Sequence, residues 1–402
     1  MSEKELNYTI KDLDSLMNLG MRNSMCINKN SDLHEIALEN KNNISQNGNP
    51  VYNKLYKNMK IDSLTNHISI AKHSNKKPDW NIDEFLSATY DIIIDDGQID
   101  STKSNYRRYN SPRLLSPYDS RSYLNLYQPY FEPTGRISDF AVANSIGLVG
   151  MKWLAKSTGS LGVLYADRYN DKDINYITAV VDIGKNSNIH LHEHFENKDG
   201  IKIYKIIYLV RDFADFTLTR SQDLDESNKD IGVNIIESKV IQHPGSKFNY
   251  EIKGEGSKYN QDLMYIDVYN DCKTKVEGRF DLYGKNINNN LINVHHKGKN
   301  SKSDIDIRSV IDDTAHSSFM GSIIVDKDAV DTDAKLYNRN LLLSSKATAI
   351  TEPQLDIHTK EISCNHGCTV SNIDKQELYY LESKGIETNI AEETLKQCFL
   401  TI

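Results

Sequence analysis

The residues with the most chemistry for their spacing lie near the end of the chain. Cys364, His366 and Cys368 alternate in the segment EISCNHGCTV. In a strand, alternate residues share a face, so all three side chains would point the same way. Thiolate and imidazole are the soft ligands that iron–sulfur chemistry uses. Extended, the three would span roughly 13 Å at about 3.3 Å per residue. One iron cannot bridge that span with bonds of about 2.0–2.3 Å, taking zinc as the guide. At most two neighbours could ligate together, and only if a bulge at Gly367 drew them closer. His366, Cys364 and Cys368 are all candidate ligands on this spacing, which does not rank them. The competing reading is a packed strand with inert thiols.

Other groupings carry less. His190, His192 and His194 alternate in NIHLHEHF and would share a face, but a closed zinc site needs a fourth ligand and tetrahedral angles. Stacked or solvated histidines are the expectation there. His295 and His296 should face opposite ways, with His296 packed or hydrogen-bonded inside. Asp312-Asp313 and Asp304/Asp306 could suggest paired carboxylates or calcium. In a turn-rich chain, aspartate more often caps a corner through its own backbone. Ser344-Ser345 lack a nucleophile elbow, and no G-x-x-x-x-G-K-[ST] loop for nucleotide phosphates is present.

The elements that must hold these residues are mostly short strands. Residues 1–100 are expected to form an N-terminal, mostly helical region, with Leu13, Leu16 and Met17 at helical spacing. A strand with a DDG turn closes it, in YDIIIDDGQID at 90–100. Residues 101–139 form a connector; half of the chain's 8 prolines fall in it. Brief helical periodicity marks 138–155. From 140 to 370 apolar, β-branched runs recur between charged or Gly/Asn turns, among them ITAVVDI, KIIYLV, LMYIDVY and GRFDLYG. That spacing fits a sandwich, a barrel or a β-helix, and periodicity alone leaves the choice open. Residues 371–402 turn helical again. Leu378 and Leu381 precede a Gly385 stop, and Asn389 with Glu392 reads as the cap of a second helix. Two helices this close predict a hairpin with a free outer face.

Composition bounds the function. The chain has 402 residues, 38% of them hydrophobic and 26% charged, with a net charge of −8. These values describe a globular protein with a full core. No basic block or stripe supports a nucleic-acid partner. No run approaches the ~18 apolar residues that span a membrane. The acidic start lacks the sections of a signal or transit peptide, which predicts a reducing cytoplasm. Five cysteines, an odd number, point to free thiols.

The segment from 292 to 386 resembles the SufB/SufD family of iron–sulfur cluster assembly proteins. The matching positions are His296, Asn300, Ser303, Arg308, Asp312, Asp313, Phe319 and Gly321, then Ala329, Thr332, Asp333 and Ala334. NRNLLLSSKA, PQLDI, CNHGCTV and ELYYLESKGI follow in order. Before 290 the likeness is weak, limited to Glu193-His194-Phe195 and the segment around Trp80. The PQLDI and C-x-H-G forms are SufD-like, and the cysteine that marks SufB in the preceding rung is absent from YNRN here. Lys299, Leu336, Lys360-Glu361 and Cys368 depart from the family pattern.

The resemblance implies a right-handed parallel β-helix core between an N-terminal helical region and a C-terminal helical domain. It implies a non-enzymatic scaffold subunit that pairs with a SufB-type subunit through the ends of their β-helices and docks a SufC-type ATPase. It assigns His366, with Cys364, to assembly of a transient iron–sulfur cluster at the SufB interface, SufB supplying the other ligands. The docking residues would be Tyr379, Tyr380, Leu381, Leu395 and Phe399 of the hairpin. Two other readings stand beside this one. A SufB-like homodimeric scaffold is disfavoured by the missing rung cysteine. A catalytic β-helix such as a polysaccharide lyase is disfavoured by the cytosolic thiols and the lack of a signal peptide.

Overall fold

The computed structural model describes residues 90–95, 98–99, 104, 112–115, 127, 130–131, 141, 148–166, 174–195, 201–222, 233–254 and 259–401. The helix expected around Leu13 and the segment around Trp80 lie outside the described residues. The described chain winds as a parallel β-helix of about 7 turns, followed by two helices. From the fourth strand onward, successive strands alternate between two sheets.

The first sheet holds β1 (Ile92–Asp95), β2 (Gln98–Ile99), β5 (Thr158–Ala166), β7 (Asn188–Phe195), β9 (Asp215–Gln222), β11 (Lys247–Gly254), β13 (Lys273–Leu282), β15 (Lys302–Ile311), β17 (Thr332–Leu342) and β19 (Ile362–Asn372). The second holds β3 (Arg113–Leu115), β4 (Leu148–Lys152), β6 (Ile174–Ile183), β8 (Ile201–Val210), β10 (Val233–Gln242), β12 (Tyr259–Val268), β14 (Ile287–His296), β16 (His316–Val325) and β18 (Thr348–Ile357). All rung-to-rung pairings from β4 onward are parallel and in unbroken register, from Val233↔Tyr259 to Leu342↔Asn372. An antiparallel sandwich is thereby excluded. Among the described residues antiparallel pairing is confined to β1 with β2 and β3 with β4, the first flanking the DDG turn read from the sequence. Of the helical periodicity read over 138–155, residues 138–140 and 142–147 lie outside the described residues, Ala141 is helical, and the stretch from 148 is not. Leu148–Lys152 is a strand with its first four residues buried, because pairing with β6 satisfies its backbone and tertiary context overrides local spacing. β1 and β3 already belong to the two sheets, upstream of residue 140.

Alternation explains the interior. In β9 Phe216 and Leu218 point in, in β11 Phe248 and Tyr250, in β15 Ile305 and Ile307, and all are buried. Their columns form one continuous core from Ile92 to Leu336. Each fully buried aliphatic or aromatic side chain contributes about 1.5–3 kcal/mol. The corner leading from the second sheet to the first repeats from β4–β5 through β16–β17. Lys156, Asn186, Phe213, Gly245, Asp271, Asn300 and Asp331 occupy it in the left-handed conformation. Each turns its backbone N–H onto a carbonyl of the next rung, for example Asn186 to Asp212 at 3.0 Å, Asp271 to Lys299 at 3.0 Å and Asp331 to Glu361 at 2.8 Å. A small residue follows and is buried at Ser187, Ala214, Ser246, Cys272 and Ser301. Glycine, asparagine and aspartate tolerate this conformation, which accounts for their recurrence there.

Two helices follow β19. α1 (Lys375–Ser383) starts at Asp374, whose side chain accepts from the Gln376 N–H, and stops at Gly385 with φ +85. α2 (Thr388–Thr401) packs against α1 and against β15. It begins two residues earlier than the Asn389 cap predicts. Asn389 lies inside its first turn, and Thr388 donates its hydroxyl to Glu382 at 2.6 Å.

Candidate functional site

β18 and β19 are the last strands of their sheets, so the far end of the β-helix is one open rung. Cys364 pairs in register with Ala334, His366 with Leu336 and Cys368 with Asn338. Those three partners are fully buried inward residues, so the Cys-His-Cys row faces inward on the terminal rung. No further rung covers it among the described residues. Cys364 is half-buried and packs against the core, whereas His366 and Cys368 are exposed. The bulge at Gly367 that joint ligation by two neighbours would require is absent, since the register runs through it onto Tyr337. Burial, and then the carboxylate of Asp333, raise the Cys364 thiol above its ordinary pKa. Across the rung, β18 presents Ala349, Thr351, Pro353 and Leu355 in register with inward residues of β16. The arrangement is a shallow apolar end carrying one imidazole and two thiols. Among the described residues no group of three or more His, Cys, Asp or Glu could hold a metal ion.

The remaining candidates fall into place as packing groups. The His190 and His192 rings meet at a 39° tilt with centroids 3.8 Å apart, His190 Nε2 meets Thr219 Oγ1 at 2.8 Å, and His194 stacks on Tyr90 at 5.6 Å. Burial lowers the His190 pKa, and the neighbouring His192 lowers it further. His295 faces out and meets Asp326 at 2.9 Å. His296 is fully buried, with Ser301 Oγ at 2.7 Å and Ser303 Oγ at 2.9 Å from its ring nitrogens. Burial, helped by His295, lowers its pKa to about 4. Asp312 and Asp313 cap a corner as expected, Asp313 Oδ2 accepting from the Gly284 N–H at 2.9 Å. Asp306 does not. It sits mid-strand and receives Arg279, Arg308 and Arg339.

Sequence reasoning also missed a polar centre inside the β-helix. Arg220 is completely buried and binds Glu193 at 3.0 Å and Asp262 at 2.9 Å. Tyr208 donates to Glu193 at 2.7 Å, and Tyr250 donates to Asp262 at 3.0 Å. Burial opposes the guanidinium charge, yet Asp262, Tyr250, Tyr208 and Glu193 outweigh it and raise the pKa. The only signal in the sequence is that Glu193 and Arg220 fall at inward positions, which becomes legible once rung register is known. Between this centre and the open end lie Ile307, Phe319 and Leu336, all buried.

The described chain is thus a parallel β-solenoid of about 7 turns followed by two C-terminal helices. The chain belongs to the family described as the SUF system FeS cluster assembly, SufBD core domain, whose profile matches residues 168–399. It is 35% identical over 92 residues to the iron–sulfur cluster assembly protein SufD of Escherichia coli, covering 23% of this chain and 22% of that protein. It is 33% identical over 148 residues to SufD of Bacillus subtilis, covering 37% and 33%. Against SufD of Plasmodium berghei it is 27% identical over 229 residues, covering 55% and 17%. The chain thus aligns with a third or less of the length of each of these relatives. Among the described residues no helix is long and apolar enough to cross a membrane.

Proposed function

We propose that this chain is a SufD-type, non-enzymatic scaffold subunit that pairs with a SufB-type subunit through its open rung. His366 contributes a ligand while an iron–sulfur cluster, the cargo of the assembly, is built between the two chains. The observation carrying this reading is the exposed His366 between Cys364 and Cys368 on the inward face of an uncapped terminal strand. Unpaired strand edges and uncovered apolar residues favour extension by a partner's strands. A thiol or imidazole there meets ligands from the opposing chain, as strand spacing requires. The hairpin docks a SufC-type ATPase. Tyr379 and Tyr380 are its exposed anchors, 72% and 60% accessible. Leu381, Leu395 and Phe399 are half-buried and shape the surface from behind.

The test is anaerobic cluster reconstitution by the complex, read as cluster absorbance and transfer to an apo-acceptor. His366→Ala should abolish assembly with complex formation intact, while Cys368→Ala should leave it near normal. Normal assembly by the His366 variant, or loss with Cys368→Ala alone, would overturn the assignment. Replacing Tyr379 and Tyr380 with alanine should remove ATPase binding and leave SufB pairing unchanged. Association of the isolated chain into stable dimers that exclude the SufB-type subunit would instead favour a homodimeric scaffold.

A further inference from the structure

Three arginines, one per rung, stand in register on the outer face of the first sheet. Arg279 pairs with Arg308, and Arg308 pairs with Arg339. Stacked like charges repel, so the column needs an anion, and Asp306 is placed within it. Asp306 Oδ2 accepts from Arg279 and from Arg308 Nε, each at 3.0 Å, and Oδ1 accepts from Arg339. Glu277 adds a second carboxylate, 3.6 Å from Arg279. Arg308 has a further bond. Its Nη1 donates to the backbone carbonyl of Phe399 at 2.9 Å, in the last turn of α2. Helix carbonyls there lack intrahelical donors, and a cation also complements the helix dipole. One turn earlier, Lys396 binds Asp281 of β13 at 3.3 Å.

The other side of the cluster leads to the open rung. Arg339 lies over the ring of Tyr337, 5.0 Å from its centroid. Tyr337 is the register partner of Gly367. Its ring approaches so closely that a Cβ added at Gly367 would lie 3.1 Å away. Gly367 separates His366 from Cys368. Packed side chains and charge-assisted bonds therefore run without interruption from the end of α2 to the strand bearing the candidate ligands.

We propose that Arg308 and Asp306 are positioning residues that join the helical hairpin to the strand carrying His366, so that a load on α2 is felt at the terminal rung. The functional meaning rests on the reading above, in which α2 belongs to an ATPase-docking hairpin and His366 to the assembly site. The mechanical link itself belongs to this chain alone. Arg308 can serve both ends because its guanidinium fork presents separate N–H groups to Asp306 and to the Phe399 carbonyl.

Hydrogen exchange on the full-length chain tests the link directly. Tyr337→Leu should speed exchange in residues 388–401 by about threefold, the size expected of coupling through a contiguous network. The same substitution made on top of Arg308→Met should add no further acceleration there. Arg308→Lys, which keeps the charge but not the fork, should loosen both 388–401 and 362–372. Exchange in β7 and β8 should stay unchanged throughout. An unaltered α2 in Tyr337→Leu, an equal effect in the Arg308→Met background, or acceleration everywhere would each overturn the proposal. Adding a SufC-type ATPase then separates the two readings. Protection of α2 with no change in β19 refutes the link and leaves docking intact. No protection anywhere refutes docking and leaves the first set of results standing.

Discussion

Arg220 reaches across the closed interior of the β-helix to Asp262, its Nη1 2.9 Å from the carboxylate and neither side chain more than 1% exposed. The two come from opposite sheets, β9 and β12, and Glu193 of β7 holds the same guanidinium from the neighbouring rung. Such a group fixes how the sheets face one another more than it adds stability, because desolvation offsets much of the attraction. Removing only the cation leaves two buried carboxylates. Arg220→Leu is therefore expected to cost about 3–5 kcal/mol, read as a lower urea midpoint. A triple variant that also carries Glu193→Gln and Asp262→Asn should recover part of that loss.

His296 makes stability depend on pH. Its folded pKa of about 4 lies below the ordinary 6.5, so between those values the unfolded chain binds more protons. Stability from this residue is complete above about pH 6.5 and is lost as pH falls towards 4. The full effect is on the order of 3 kcal/mol. Unfolding free energies at pH 7 and pH 4.5 should differ less for His296→Gln than for the native chain. Equal differences would show that the imidazole is not held neutral.

Gly321 has no room for a side chain. A Cβ there would lie 2.5 Å from Leu336 Cδ1 and 2.7 Å from the Phe319 ring. Both neighbours are buried and cannot swing into solvent. Gly321→Ala is expected to destabilise by about 1–3 kcal/mol through overpacking. Gly159, which would meet nothing within 4 Å, supplies the control: Gly159→Ala should leave the melting temperature within a degree or two of native, as small surface effects do.

Phe213 occupies its corner with φ 57 and is 61% exposed. A left-handed aromatic residue carries about 1–2 kcal/mol of backbone strain, and asparagine relieves part of it. Phe213→Asn should raise stability by roughly 0.5–1 kcal/mol, measured as a higher melting temperature. A fall would mean that the ring's contact with Lys185, 5.7 Å from its centroid, outweighs the strain.

Much of the architecture is legible from the residues themselves. The alternation in KFNYEIKG and KTKVEGRFDL reads directly as inward and outward faces, and the structure keeps both as strands. Alternation cannot tell a β-helix from a sandwich, because each presents a strand with one buried face. The ordered C-terminal motifs resolved that choice. The row Cys364, His366, Cys368 was visible because its spacing lies within one strand. Arg220 with Glu193 and Asp262, and the three arginines around Asp306, were not, because each group is assembled between rungs. Register depends on corner geometry, and a left-handed Phe213 or Lys156 leaves no compositional mark.

The two long margins of this solenoid differ in their freedom to vary. Along one margin every corner is short and bonded to its successor, so it acts as a spine that counts the rungs. Along the other, the connections from Gln222 to Val233 and from Gly254 to Tyr259 differ in length while the strands they join stay in register. Extra chain is therefore accommodated on that side without disturbing the stack. A fluorescent or affinity insert placed between 223 and 232 should leave the fold intact. The same insert between Asn186 and Ser187 would cut a link between rungs and unseat everything stacked beyond it.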